Sequence, residues 1–109
     1  MAYSPSYSEN APDRATIDAR SGPLLIEFGV DWCPHCQAAQ PAIEAALGER
    51  PDLPVLKIED GPGRPLGRSF RVKLWPTLIF FKDGRERERL VRPGDAVEIR
   101  AALTRLYDI

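Results

Sequence analysis

The stretch Leu24-Leu25-Ile26-Glu27-Phe28-Gly29-Val30-Asp31-Trp32-Cys33-Pro34-His35-Cys36, continued by Gln37 to Leu47, decides the fold. Leu24 to Val30 is an almost unbroken apolar run, the pattern of a strand covered on both faces. Cys33 to Leu47 reads as a helix, with Gly48 as its stop. A strand therefore leads into a helix, and two cysteines with two residues between them stand at the junction. In the first turn of a helix such thiols can close a disulfide. The unpaired N–H groups and the helix dipole there favour a thiolate, the species that attacks disulfides. The same spacing also serves zinc sites, so the surrounding chain must carry the assignment to thiol–disulfide exchange.

Upstream, residues 1–12 read as a flexible or loosely docked leader, and Asp13 to Ala19 as a short helix closed by Ser21-Gly22-Pro23. Downstream, Val55 to Ile58 is a second buried strand, interrupted by Lys57. Asp60 to Arg64 is a Gly/Pro-rich loop, with a short helix up to Phe70. Thr77 to Phe81 is a third strand, and Asp83-Gly84 turns it into a fourth, Arg85 to Val91. The charged run Arg85-Glu86-Arg87-Glu88-Arg89 suits an edge strand that discourages aggregation. Asp95 and Glu98 have capping-box spacing ahead of the apolar face Ile99, Ala102, Leu103 and Leu106. The order β-α-β-α-β-β-α predicts an α/β domain over 13–109, with a single mixed sheet flanked by helices on both faces.

Whole-chain properties narrow the function. A chain of 109 residues suits one domain with a real core. Fifteen basic and 16 acidic residues leave a net charge of -1, so neither nucleic acid nor a membrane surface is an expected partner. No apolar run approaches the ~20 residues of a membrane span. Met1 to Asn10 lacks the apolar centre of a signal peptide, so a cytoplasmic location is expected. Both cysteines lie in the one motif. In a reducing compartment such a pair is more often catalytic or metal-binding than structural.

Further matches lie along the chain: Ile26-Glu27-Phe28, Trp32-Cys33-Pro34-His35-Cys36, Pro41, Lys57, Trp75-Pro76-Thr77 and Phe81-Lys82-Asp83-Gly84. In order and spacing this constellation resembles the thioredoxin family from Leu24 to the C-terminus. The resemblance implies the thioredoxin fold and a protein-disulfide oxidoreductase activity. Cys33 would be the exposed nucleophile and Cys36 the buried resolving thiol. Pro76 would be a cis-proline presenting backbone to the substrate, and Pro41 would kink the active-site helix. Glu27 stands where the family carries a buried Asp that assists proton transfer, with Lys57 its basic neighbour. Trp32, Trp75 and Thr77 would bind substrate. No cofactor is implied. The implied partners are protein disulfides or dithiols and a reductase or thiol reductant that resets the pair, with the protein a monomer.

The chain also departs from the family pattern. The extra methylene of Glu27 changes its reach to Cys36, by up to a water. Gly29 replaces a usual Trp, which predicts a looser floor. Arg92 replaces a usual groove-lining Gly. Pro34-His35 replaces Gly-Pro and resembles the dipeptide of bacterial disulfide-forming oxidants.

Bland readings stand beside the sharp ones. A zinc site normally needs four ligands, and one chain offers two thiols and one histidine, so a metal or iron–sulfur module would need two chains. Covalent haem attachment needs a histidine after the second cysteine, where Gln37 stands. A glutaredoxin-like, glutathione-dependent enzyme and a redox-inactive docking module remain open. His35 is either a solvated helix-start residue or a tuner of Cys33 through its imidazole or a donated hydrogen bond. Glu27 and Lys57 are either a structural ion pair between strands or a proton-transfer acid of raised pKa with its moderator. On either view an uncompensated Glu27 is costly, which predicts that Glu27→Gln stabilises the fold.

Overall fold

Period-two alternation in the central strand organises the molecule. The computed structural model describes residues 3–108. Its elements are α1 (Arg14–Asp18), β1 (Pro23–Gly29), α2 (Pro34–Leu47), β2 (Val55–Glu59), α3 (Pro65–Ser69), β3 (Thr77–Lys82), β4 (Arg85–Val91) and α4 (Ala96–Tyr107). The strands form one sheet in the order β2-β1-β3-β4, with β1 parallel to β2 and antiparallel to β3. Leu24, Ile26 and Phe28 point to one face, where they join Ile17 of α1 and Leu66 of α3. Leu25 points to the other and packs with Ile43 of α2 and Leu103 of α4. Each such residue, fully buried, contributes about 1.5–3 kcal/mol of transfer free energy. Glu27 shares the face of Leu25 by the same alternation, which puts a carboxylate beneath α2.

Helix α2 begins where local chemistry favours it. Cys33 is its extended N-cap. Pro34 follows at the first helical position, where no N–H is required. The hairpin between β3 and β4 turns on Asp83 (φ 53°) and Gly84 (φ 78°), the two positive-φ positions of a type I′ turn. A Cβ on Gly84 would run into the Asp18 carbonyl. In the edge strand, Phe80 faces Glu88 and Phe81 faces Glu86, so Arg87 is the extra residue of a bulge. Asp95 caps α4 by accepting from the Glu98 N–H at 3.0 Å, while the Glu98 carboxylate accepts from Gly94 N at 3.1 Å. The reciprocal half of the capping box is thus shifted by one residue.

The leader is docked against the sheet. Ser8 pairs in parallel with Ile58, donating to Lys57 O at 2.8 Å and accepting from Glu59 N at 2.8 Å. It thereby covers part of the free edge of β2. Tyr7 is buried, and its N–H donates to Asp31 Oδ1 at 2.9 Å. The cause lies in Tyr3 and Tyr7, whose apolar rings and polar tips suit a site with buried acceptors. Residues 1–2 of the expected leader lie outside the described residues. No helix among the described residues is long and apolar enough to cross a membrane.

Candidate active site

The two cysteines occupy unlike environments one helical turn apart. Both thiols are free. Cys33 is 5% exposed and Cys36 1%, so the expected exposed nucleophile is itself largely covered. Tyr7, Val30 and Trp75 pack around the pair. Burial opposes ionisation of Cys33. It is outweighed by hydrogen bonds from the Cys36 N–H and thiol, by the His35 N–H and by the charge of Arg92, and the Cys33 pKa falls below its ordinary value. Cys36 behaves oppositely: burial, reinforced by Cys33, pushes its thiol up to about 11. At pH 7 such a thiol is ionised in only about one molecule in 10⁴.

Beneath Cys36 lies a buried polar network. Glu27 is fully buried. Its Oε1 accepts from the Tyr3 hydroxyl and its Oε2 from the Tyr7 hydroxyl. Gln40 Nε2 donates to the same Oε2 at 3.0 Å and to the Cys36 carbonyl at 2.8 Å. Gln40 lies one helical turn beyond Cys36, which aims its amide at this face. Lys57 is the register partner of Glu27. Even so, its Nζ donates to Gln40 Oε1 at 2.6 Å and Ser4 O at 2.8 Å. Its ammonium also sits 4.4 Å and 4.5 Å from the Tyr3 and Tyr7 ring centres. Burial lowers the Lys57 pKa, against the charge of Glu27.

The rim is aromatic. Trp32 is 72% exposed and meets Trp75 edge-on, with centroids 5.8 Å apart. Trp75 Nε1 donates to Asp60 Oδ2 at 2.7 Å, which fixes the indole beside the cysteines. The Trp75–Pro76 peptide bond is cis.

The family model described as Thioredoxin matches residues 8–105. The chain belongs to the thioredoxin family. The thioredoxin of Chlamydia trachomatis is 43% identical over 72 residues, spanning 65% of this chain and 70% of that protein. A structure of thioredoxin 2 from Pseudomonas aeruginosa in its reduced form superposes with a TM-score of 0.86 at 53% identity, covering 94% of this chain and 95% of that one. A point-mutant thioredoxin from Halobacterium salinarum gives 0.75 at 26% identity, covering 100% of this chain and 98% of that one. The protein is accordingly a thiol–disulfide oxidoreductase with Cys33 and Cys36 as its redox pair. Thioredoxins act on protein disulfides and are reset by a reductase.

Against that thioredoxin background several expected roles change. The direct Glu27–Lys57 ion pair does not form among the described residues, because the Gln40 amide stands between the two charges. Lys57 therefore bears on the site through Gln40 and is a positioning residue. Thr77 is 1% exposed, and its hydroxyl donates to Leu74 O at 2.6 Å, so its side chain is spent within the protein. The floor at Gly29 is not loose: a Cβ there would lie 2.6 Å from Cys36 Sγ and 2.7 Å from the Tyr7 ring. Tyr7 fills the space a larger residue would take. Pro34 and His35 are both exposed, and His35 bears on Cys33 through its main-chain N–H. Gln40, Tyr3, Tyr7 and Asp60 were not singled out in the sequence.

Glu27→Gln now carries the opposite expectation for stability. A glutamine offers one acceptor oxygen and an amide that donates, so one of the three donors around Glu27 loses its acceptor. The cost is about 1–3 kcal/mol.

Arg92 also acts directly on the pair. At φ 51° it holds a conformation that favours glycine, and its guanidinium is anchored by donating to Trp75 O at 2.7 Å. Arg92→Gly is expected to raise the Cys33 pKa. Stability should change by less than about 1 kcal/mol, because relief at positive φ opposes the greater freedom of the unfolded chain. Thiolate absorbance against pH and a thermal melt measure the two effects.

Proposed function

We propose that the protein reduces protein disulfides, with Cys33 as attacking thiolate and Cys36 as resolving thiol. The observation that carries this reading is the opposed shift of the two thiols, Cys33 lowered and Cys36 raised to about 11. Cys33 Sγ attacks a substrate disulfide, one substrate sulfur leaves as thiolate, and a mixed disulfide forms. Cys36 then loses its proton to Glu27 and attacks Cys33 Sγ. The second substrate sulfur leaves, and Cys33–Cys36 is oxidised. Lys57 and Gln40 hold the acceptor in place. Substrate docks across the Trp32–Trp75 lip and the backbone at cis-Pro76, a reading supported by the exposure of Trp32 and the closeness of Trp75 to the cysteines. The protein works as a monomer in the cytoplasm, where a reductase or small thiol resets it. Its cysteine usage, one redox pair and no other thiol, supports a reducing compartment. The test is acceleration of dithiothreitol-driven reduction of a protein disulfide. A rate equal to that of dithiothreitol alone would remove the proposal.

The Pro34-His35 dipeptide sets the poise through the main chain. His35→Ala keeps the N–H that faces Cys33, whereas His35→Pro deletes it. The Cys33 pKa should stay near wild type in the first variant and rise in the second. A lowered pKa stabilises the reduced form fully above the ordinary thiol value, ~8.5, and that contribution fades as pH falls through the lower folded value. His35→Pro should therefore make the potential more negative by up to about 30 mV at pH 8 and by less at pH 6. Equilibration in glutathione buffers at both pH values measures it. Equal shifts in the two variants would return the effect to the imidazole.

A further inference from the structure

Among the described residues no hydrogen bond joins Glu27 to the resolving thiol, and its partners are Tyr3, Tyr7 and Gln40. The residue packed beside both is Tyr7, which comes from the leader and fills the space left open by Gly29. The hydroxyl donates to Glu27 Oε2, and Tyr7 packs in the same buried cluster as Cys36. A Cβ on Gly29 would fall 2.6 Å from Cys36 Sγ and 2.8 Å from the Tyr7 oxygen, so sulfur and hydroxyl crowd around one point. A phenol has one proton and two lone pairs. With its proton given to Glu27 and one lone pair facing Gln40 Nε2 at 3.4 Å, its other lone pair is left to accept from Cys36 S–H once Cys33 is bound in the mixed disulfide and no longer a thiolate that takes that proton's hydrogen bond.

We infer that Tyr7 is a catalytic residue that carries the proton of Cys36 to Glu27 during resolution of the mixed disulfide. This rests on the reading of Cys36 as resolving thiol and Glu27 as its proton acceptor. In the step, the Cys36 S–H bond breaks as an O–H bond forms at Tyr7. The original Tyr7 O–H breaks as one forms at Glu27 Oε2. Cys36 Sγ bonds to Cys33 Sγ, and the substrate sulfur departs with the electron pair and takes its proton from solvent. Tyr7 ends neutral, its new proton facing Cys36 Sγ. Burial and the neighbouring Glu27 charge raise the Tyr7 pKa, so a free phenolate is not a stage of the relay, and the two transfers are coupled. The other ionisable groups facing this point are Tyr3, Lys57, Cys33 and Asp31. Lys57 lies 4.5 Å from the Tyr7 ring centre, and Asp31 accepts from Tyr7 N–H at 2.9 Å.

The experiment compares Tyr7→Phe, Glu27→Gln and wild type in pre-steady-state kinetics, with formation and decay of a mixed disulfide to a fluorescent protein substrate followed separately. Loss of a general-base path is worth about 10²-fold or more. Tyr7→Phe should slow decay by that order at pH 7 while formation stays within twofold. Decay in Tyr7→Phe should rise about tenfold per pH unit, as thiolate formed in a prior equilibrium does the attack, whereas wild type stays nearly flat, and the solvent isotope effect should report no proton in flight in the variant against two in wild type. If Tyr7→Phe resolves at the wild-type rate while Glu27→Gln is slow, the relay is wrong and the acceptor role of Glu27 stands. If both resolve normally, the acceptor role falls as well. A second arm places 3-fluorotyrosine at position 7, which keeps ring, hydroxyl and packing but alters the acidity of the phenol. The relay predicts a changed decay rate and solvent isotope effect, and values equal to wild type overturn it even if Tyr7→Phe fails to fold.

Discussion

Cys33→Ser is expected to eliminate turnover, and Cys36→Ser to turn the protein into a trap. The first variant lacks the only thiol held below its ordinary pKa at the helix start, and a serine hydroxyl does not ionise in its place. Disulfide reduction should fall to the rate of the reductant alone. The second variant retains the attacking thiolate. A serine at 36 still supplies the N–H and a donor side chain toward Cys33, so formation of the mixed disulfide should stay within about threefold of wild type. What is lost is the sulfur that resolves it. The adduct should therefore persist and be recovered one-to-one with substrate by non-reducing electrophoresis and mass spectrometry. Retention of full activity by both variants would contradict the assignment of the pair.

Deleting residues 1–10 is expected to produce the largest loss of stability of any change outside the core. The deletion removes both tyrosine donors from Glu27 and the Ser4 carbonyl from Lys57. It also uncovers the Gly29 face of Cys36 and the bridged part of the β2 edge. Two buried charges then lose partners. Breaking up a buried charged network by removing one side costs about 3–5 kcal/mol. A domain of this size loses about 4–8 °C in Tm for each kcal/mol, so a drop of ten degrees or more is expected, together with slower resolution of mixed disulfides. Thermal melting by circular dichroism measures the first effect. A truncated protein that melts within two degrees of the full chain would mean that the leader adds nothing to the fold.

That segment also shows where sequence reading ends. The strand–cysteine–helix junction was legible because every local signal agreed: an apolar run, a helix-start proline, the spacing of the thiols. The Asp83-Gly84 turn and the cap at Asp95 were legible for the same reason, since each is chemistry within four residues. The polar network was not. Tyr3 and Tyr7 find Glu27 from 24 and 20 positions away, and a short polar segment with two isolated tyrosines carries no periodicity from which docking could be read. Gln40 carries little signal, because an uncharged amide on a helix reads as surface. Its one signal was the four-residue offset from Cys36, which puts both on the same face. Glu27 and Lys57 stand out in the sequence as charges in apolar strands. Their pairing does not, because register alone does not reveal an amide lying between two charges. Thr77 follows the cis-proline in sequence, yet strand alternation turns its side chain inward, where it bonds Leu74.

Catalysis here depends on an unequal pair of thiols, and their alkylation against pH tests this most directly. Reduced protein is pulsed with iodoacetamide from pH 5 to pH 11, and modification at each cysteine is quantified by peptide mass spectrometry. Cys33 should react with a midpoint below the ordinary thiol value of ~8.5, and Cys36 should stay unmodified until the pH approaches about 11. Two cysteines reacting together with one midpoint near the ordinary thiol value, or Cys36 reacting first, would contradict the assignment of attacking and resolving thiols.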